Sequence, residues 1–187
     1  MAAPDRLPPL DPATYTPEQE ASAADFRARR KAEPFGPYGP LLRSPALMLE
    51  VEAVGRRLRY GSCLPENLKE LAICLVARSF SQQFEWSVHA MEAEKAGVSP
   101  AILAAIAEGR RPDVMDAEET LIHDAVTELI VTKRWSDTTY DRILARHGER
   151  GAVEIPALVG IYSLLAYVLN VARTPADGPE GLARWPE

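Results

Sequence analysis

The sequence predicts an all-α fold, and three observations carry that prediction. Apolar residues recur at helical spacing in segment after segment, as at Leu47, Val51, Val54 and Leu58. These segments open on Ser, Thr, Asp or Pro and close on glycine, the punctuation of helices. No segment shows the sustained alternation of a half-buried strand.

The chain has 187 residues, 47% apolar and 26% charged, enough for one sizeable core. A formal net charge of −6 argues against non-specific nucleic-acid binding, which needs a basic surface. Two cysteines, Cys63 and Cys74, without a Cys-x-x-Cys, suit a reduced cytoplasmic protein. The first residues lack the basic and apolar runs of a signal peptide.

In chain order, residues 1–15 hold four prolines and read as an extended arm, disordered alone or wrapped on a neighbouring subunit. Thr16, Pro17 and Gln19 start a mostly polar helix to about Ala32 with a capping box. Residues 34–40, with three prolines and two glycines, are expected not to be helical. Ser44 and Pro45 open a helix to about Arg59, whose basic end suits the helix dipole or an anion. Pro65 opens a helix that is apolar nearly all round and should therefore be buried. Ser79 or Ser81 is expected to cap the next helix, which Gly97 ends. Ser99 and Pro100 then start a short helix that Gly109 stops. Asp116 and Glu119 form another capping box, and Ser136 caps a helix ending near His147 and Gly148. The last helix, about Ala152 to Ala172, is almost wholly apolar. Pro156, Gly160, Tyr162, Ser163, Tyr167 and Asn170 dilute it, so it reads as a buried central helix and not a membrane span. The division is an arm and helix over 1–34, a helical domain over 35–175, and a Pro/Gly-containing surface tail over 176–187.

Core burial does not explain one group of residues. Glu70 shares its stripe with Ile73, Cys74 and Ala77, so its carboxylate is either paired or proton-bearing. Gln82, Glu85, Trp86 and His89 cluster on one face of the next helix. Glu85 and His89, four apart, form either an ordinary helical pair or, with Glu70, a proton-transfer centre. A tight hairpin puts Glu70 about 15 Å before the turn and His89 about 13 Å after it, at matching heights. Glu70 is then expected to raise the His89 pKa more than burial lowers it. Glu85 and His89 also offer two metal ligands, but His-Glu-x-x-His is absent, and neither a metal nor a cofactor is expected. Arg78, two turns beyond Glu70, is the first candidate for a substrate carboxylate, followed by Arg56 and Arg59. Trp86 either lines a pocket or packs. Tyr162 and Tyr167 read as core, His123 as a core or interface residue, and His147 as a partner for terminal helix carbonyls.

The stretch ENLKELAICLVARSFSQQFEWSVHAMEAEKAGVS, with ERGAVEIPALVGIYSLLAYVLN, resembles the carboxymuconolactone decarboxylase family, which includes the alkylhydroperoxidase D branch. The likeness runs from about Phe35 to Pro175. The peroxidase branch carries a Glu followed by Cys-x-x-Cys-x-x-x-His. The Glu and His fall at Glu70 and His89, but Gln82 and Glu85 occupy the cysteine positions. Neither can run a thiol cycle, so the resemblance implies the non-redox branch. It implies a cofactor-free lyase or isomerase acting on a small carboxylated lactone or aromatic-catabolism compound. Glu70, Glu85 and His89 would be catalytic, with Gln82, Trp86 and Arg78 binding substrate. It further implies a homotrimer or homohexamer with the site near subunit contacts. Two alternatives stay open: a metal-dependent hydrolase or lyase on the same three residues, and a non-catalytic ligand-binding helical oligomer.

Overall fold

A computed structural model describes residues 4–176, so residues 177–187, most of the expected surface tail, lie outside the described residues. Among the described residues the chain is helical, with no strand. The helices are α1 (Pro17–Arg30), α2 (Tyr38–Leu41), α3 (Pro45–Gly61), α4 (Glu66–Ser79), α5 (Gln83–Lys95), α6 (Pro100–Ala107), α7 (Ala117–Thr132) and α8 (Asp137–Ala172).

The caps read from the sequence hold. Thr16 with Gln19, and Asp116 with Glu119, each exchange both hydrogen bonds of a capping box. Ser99 and Ser136 accept from backbone N–H groups three residues on. Each such cap is worth about 1 kcal/mol, because it satisfies a donor that the helix itself cannot. The cap of α5 differs from expectation. Gln82 caps it, whereas Ser79 is the last residue of α4 and Ser81 sits in the left-handed region at φ 49°.

The centre of the molecule is α4. Every residue from Leu68 to Ala77 is buried, and α5, α6, α7 and α8 pack around it. The expectation of a buried central helix therefore fits α4 and needs correcting for α8. The inner face of α8, with Ile155, Leu158, Tyr162, Leu165 and Leu169, joins the core. Its outer face leaves Val153, Leu164, Tyr167 and Val171 exposed. Among the described residues α8 is long and apolar enough by length and composition to cross a bilayer. Gly148, at φ 65° and ψ −175°, divides α8 into two helical arms, and these match the two helices read from the sequence.

Three further readings change. Residues 34–40 do contain one helical turn, α2, because Pro40 falls in its first turn, where a missing N–H costs nothing. The buried stripe of α3 is Met48, Val51, Glu52, Gly55 and Leu58. Leu47 and Val54 are each 48% exposed, so the inward face is rotated by about one residue. The arm packs on its own chain: Arg6 N–H donates to Ala172 O at 2.7 Å, and Arg43 Nη2 donates to Pro8 O at 2.8 Å. Helix α1 is built into the same core through Ala23 and Phe26, both at 0% exposure.

Candidate functional site

Glu70 sits on α4 with 0% exposure, and its two oxygens have different partners. Oε2 is 2.7 Å from His89 Nδ1 on α5. Oε1 is 3.1 Å from Arg59 Nη1 on α3, an ion pair whose alignment falls short of a hydrogen bond. The hairpin of α4 and α5 thus brings the two residues to one height and into contact.

The tautomer follows from this geometry. A carboxylate paired with a guanidinium only accepts, so His89 Nδ1 carries the proton and donates to Glu70. Arg59 Nη1 is also 3.1 Å from His89 Nδ1, but a protonated nitrogen cannot accept from it. That contact is a close approach, and the weaker Arg59 Nη1 donation to Tyr162 Oη is 3.4 Å long. Nε2 is then the nitrogen with a lone pair. Burial lowers the His89 pKa below its usual value, and the hydrogen bond it donates to Glu70 offsets only part of that. The expected direction is thereby reversed: full burial outweighs one carboxylate, and Arg59 adds to the lowering. His89 is a neutral imidazole near pH 7.

Glu85, one turn before His89, is 3% exposed, and neither carboxylate oxygen has a hydrogen-bond partner among the described residues. Burial raises its pKa well above the ordinary carboxylate value. Burial therefore favours its protonated form, which would be a donor next to a neutral base. Both line one cavity of about 180 Å³ together with Arg30, Arg59, Tyr60 and Tyr162. The Tyr162 ring meets His89 edge-on with centroids 5.0 Å apart, and burial raises its phenol pKa, so it stays a neutral hydroxyl. Phe35 and Phe84 complete the apolar wall. Gly36 between them is required, since its φ is 53° and a Cβ there would lie 2.5 Å from the Phe84 ring.

Arg59 and Arg30 supply the positive charge. Lys69, buried at 4% exposure, holds the end of α3 by donating to Arg59 O, which fixes the residue that reaches Glu70. Arg30 comes from α1 and is held by Glu52 Oε1 at 2.9 Å and Tyr38 Oη at 3.2 Å. Glu52, at 0% exposure, also meets Arg29 at 3.4 Å and Arg56 at 3.3 Å. With Asp25 on Arg29, three guanidinium groups face two carboxylates, leaving one excess positive charge near the cavity.

Three predicted binding residues are placed elsewhere. Arg78 lies about 12 Å along α4 from Glu70, donates through Nε to Ala107 O at 2.9 Å and lines a different cavity. Gln82 is structural: its Oε1 accepts from Phe84 N–H at 2.6 Å, and its Nε2 donates to Asn170 Oδ1 at 2.8 Å. Trp86 packs in the core at 2% exposure and does not line the cavity. His147 does not cap terminal carbonyls; its Nε2 is 3.8 Å from Glu118 Oε2. His123 is buried, with Nδ1 3.1 Å from Asp124 Oδ1.

Sequence reasoning missed Arg30, Tyr60 and Glu52, and it read Tyr162 as core. Only Glu52 left a signal, as a carboxylate on the buried stripe of α3 four residues after Met48. Among the described residues, no three His, Cys, Asp or Glu side chains are grouped to hold a metal ion.

Together these features define an all-helical protein with a buried carboxylate–imidazole–guanidinium cluster beside a small, closed-in cavity. No family model matches the chain, and no curated protein matches it.

Proposed function

We propose that the chain is a cofactor-free acid–base enzyme, a lyase or isomerase on a small carboxylated compound, of the carboxymuconolactone decarboxylase type. The observation that supports this reading most is the pairing of a neutral imidazole, held by Glu70 at 2.7 Å, with a protonated Glu85 on one cavity. Acid and base have had their pKa values moved so that each is in its working form near neutral pH.

In the decarboxylation, a substrate carboxylate leaves as carbon dioxide. The electron pair of the broken C–C bond moves into a conjugated carbonyl. Glu85 delivers a proton to carbon and regains one from solvent, so one proton is consumed per carbon dioxide released. Tyr162 and Arg59 stabilise the enolate oxygen, and Arg30 holds a second anionic group. His89 Nε2 removes a proton where isomerisation precedes or follows carbon dioxide loss. Burying the reacting carboxylate favours the product, which carries less localised charge. The thiol route has little support: Cys74 is fully buried, and burial with Glu70 raises its thiol well above the usual value.

The test is incubation with unsaturated lactone carboxylates in deuterated water, reading carbon dioxide release and deuterium at carbon. Neither signal with any member of the panel would count against the reading.

Self-assembly is part of the proposal. Val153, Ala157, Gly160, Leu164, Tyr167 and Val171 on α8 are all exposed at alternating four- and three-residue steps, the spacing of a helix–helix seam. A homotrimer or homohexamer is expected in light scattering at micromolar concentration, and a 20.5 kDa species would reject it.

A further inference from the structure

The cavity at His89 presents two hydrogen-bond donors and one acceptor that have no partner among the described residues. Neither carboxyl oxygen of Glu85 is hydrogen-bonded, so in the protonated form that burial favours its O–H has nothing to donate to. Tyr162 Oη accepts from Arg59 Nη1 at 3.4 Å, which leaves the phenol's own proton free. His89 Nδ1 is taken by Glu70, so Nε2 is the ring nitrogen left to accept. Buried polar groups are costly to leave unpaired, and this set points to a ligand of the complementary pattern. We propose that the site also hydrolyses small uncharged cyclic esters, with His89 activating a water, Tyr162 binding the carbonyl oxygen and Glu85 protonating the ring oxygen.

A lactone brings two acceptors, its carbonyl and ring oxygens, and a water brings the donor. Size agrees with this pairing. A closed cavity of ~150 Å³ holds benzene and a water takes ~30 Å³, so the cavity of about 180 Å³ accommodates a single-ring ester with one water. Charge agrees as well. Arg59 is paired with Glu70 and Arg30 with Glu52, and a neutral ligand disturbs neither pair. Phe35 and Phe84 offer apolar contact to the methylenes of the ring.

In the reaction, His89 Nε2 takes one proton from the water as the water oxygen adds to the acyl carbon. The carbonyl π electrons move onto oxygen, and the oxyanion accepts from Tyr162 Oη–H, polarised by Arg59. The acyl C–O bond then breaks as Glu85 gives its proton to the departing ring oxygen. The proton on His89 passes to the Glu85 carboxylate, which returns both groups to their starting forms. One lactone and one water give one hydroxy acid, which releases one proton to solvent on ionising.

This activity goes beyond the lyase reading, and its probe has no carboxylate to lose, so the two succeed or fail separately. The full-length chain is incubated with δ-valerolactone in ¹⁸O-labelled water. Proton release is expected to saturate with lactone, with the label in the carboxylate of 5-hydroxypentanoate and none in its hydroxyl. His89→Ala should lower turnover by ~10²-fold or more. Tyr162→Phe should lower kcat by ~10-fold or more and leave KM within a few-fold. It keeps the ring that meets His89 edge-on, so it carries the test even where His89→Ala fails to fold. His123→Ala should stay at the wild-type rate. Turnover no faster than in buffer, label in the hydroxyl, or wild-type turnover in either folded variant would overturn the proposal. So would a loss of turnover on dialysis against dipicolinate that zinc restores, because a metal would then be supplying the hydroxide.

Discussion

Replacing His89 with alanine is expected to lower turnover by ~10²–10⁴-fold, whereas His123→Ala and His147→Ala stay near the wild-type rate. The asymmetry rests on position. His89 alone of the three meets Glu70, at 2.7 Å, and shares the 180 Å³ cavity with Glu85. His123 lines the other cavity, and His147 faces Glu118. Glu70→Gln should fall between these limits, because an amide can donate to Nδ1 and so shift the proton to Nε2, removing the base from the cavity. The pH profile provides a second readout. Since burial lowers the His89 pKa, the base stays unprotonated to more acidic pH than a free imidazole would, and the acid limb should lie below 6.5. Turnover in His89→Ala within a few-fold of wild type, with the acid limb unmoved, would remove His89 from the reaction.

The Glu70–His89 contact was legible because it depends on counting. Two helices and a tight turn set the heights of both residues, and each stands out from its surroundings in type. The partner cation was not legible. Arg56, Arg57 and Arg59 end one helix, and a basic last turn looks the same whether it faces water or another helix. Only the contacts between the end of α3 and α4, Lys69 donating to Arg59 O and the Arg59 side chain meeting Glu70, select Arg59. Arg78 failed as a candidate because proximity along a helix is not proximity to a site: about 12 Å of rise carries it to another cavity. Gln82 and Trp86 drew attention through the motif they interrupt, yet one is a helix cap and the other is core. Cap chemistry, a local signal, was read well at α1, α6, α7 and α8. It was misplaced at α5, where Gln82 does the work expected of a serine. Arg30 and Tyr162 come from α1 and α8, and no local spacing relates either to His89.

Glu85→Leu is expected to abolish the proposed activity and yet raise stability at neutral pH. The carboxyl is 3% exposed, and neither oxygen has a hydrogen-bond partner among the described residues, so its charged form is poorly tolerated. Its folded pKa therefore lies well above the unfolded value of 4.5. The sign follows from proton counting. Between 4.5 and the folded pKa the native state holds a proton that the unfolded chain has released, so raising the pH favours unfolding. Stability is full below 4.5 and declines across that window by about 1.4 kcal/mol per pH unit. His89 acts in the opposite sense: its lowered pKa makes stability rise with pH up to about 6.5. Both chains retain His89, so its contribution cancels when the variant is compared with wild type at each pH. Leucine is close to glutamate in volume and puts no polar atom in the site, so it removes the penalty without opening a large cavity. Denaturant melts of both chains from pH 4 to 8 are the measurement. The stability difference should be small at pH 4 and grow in favour of Glu85→Leu as the pH rises. A difference that stays flat across the range would mean that Glu85 titrates as an ordinary carboxylate, and the acid proposed for the site would be lost with it.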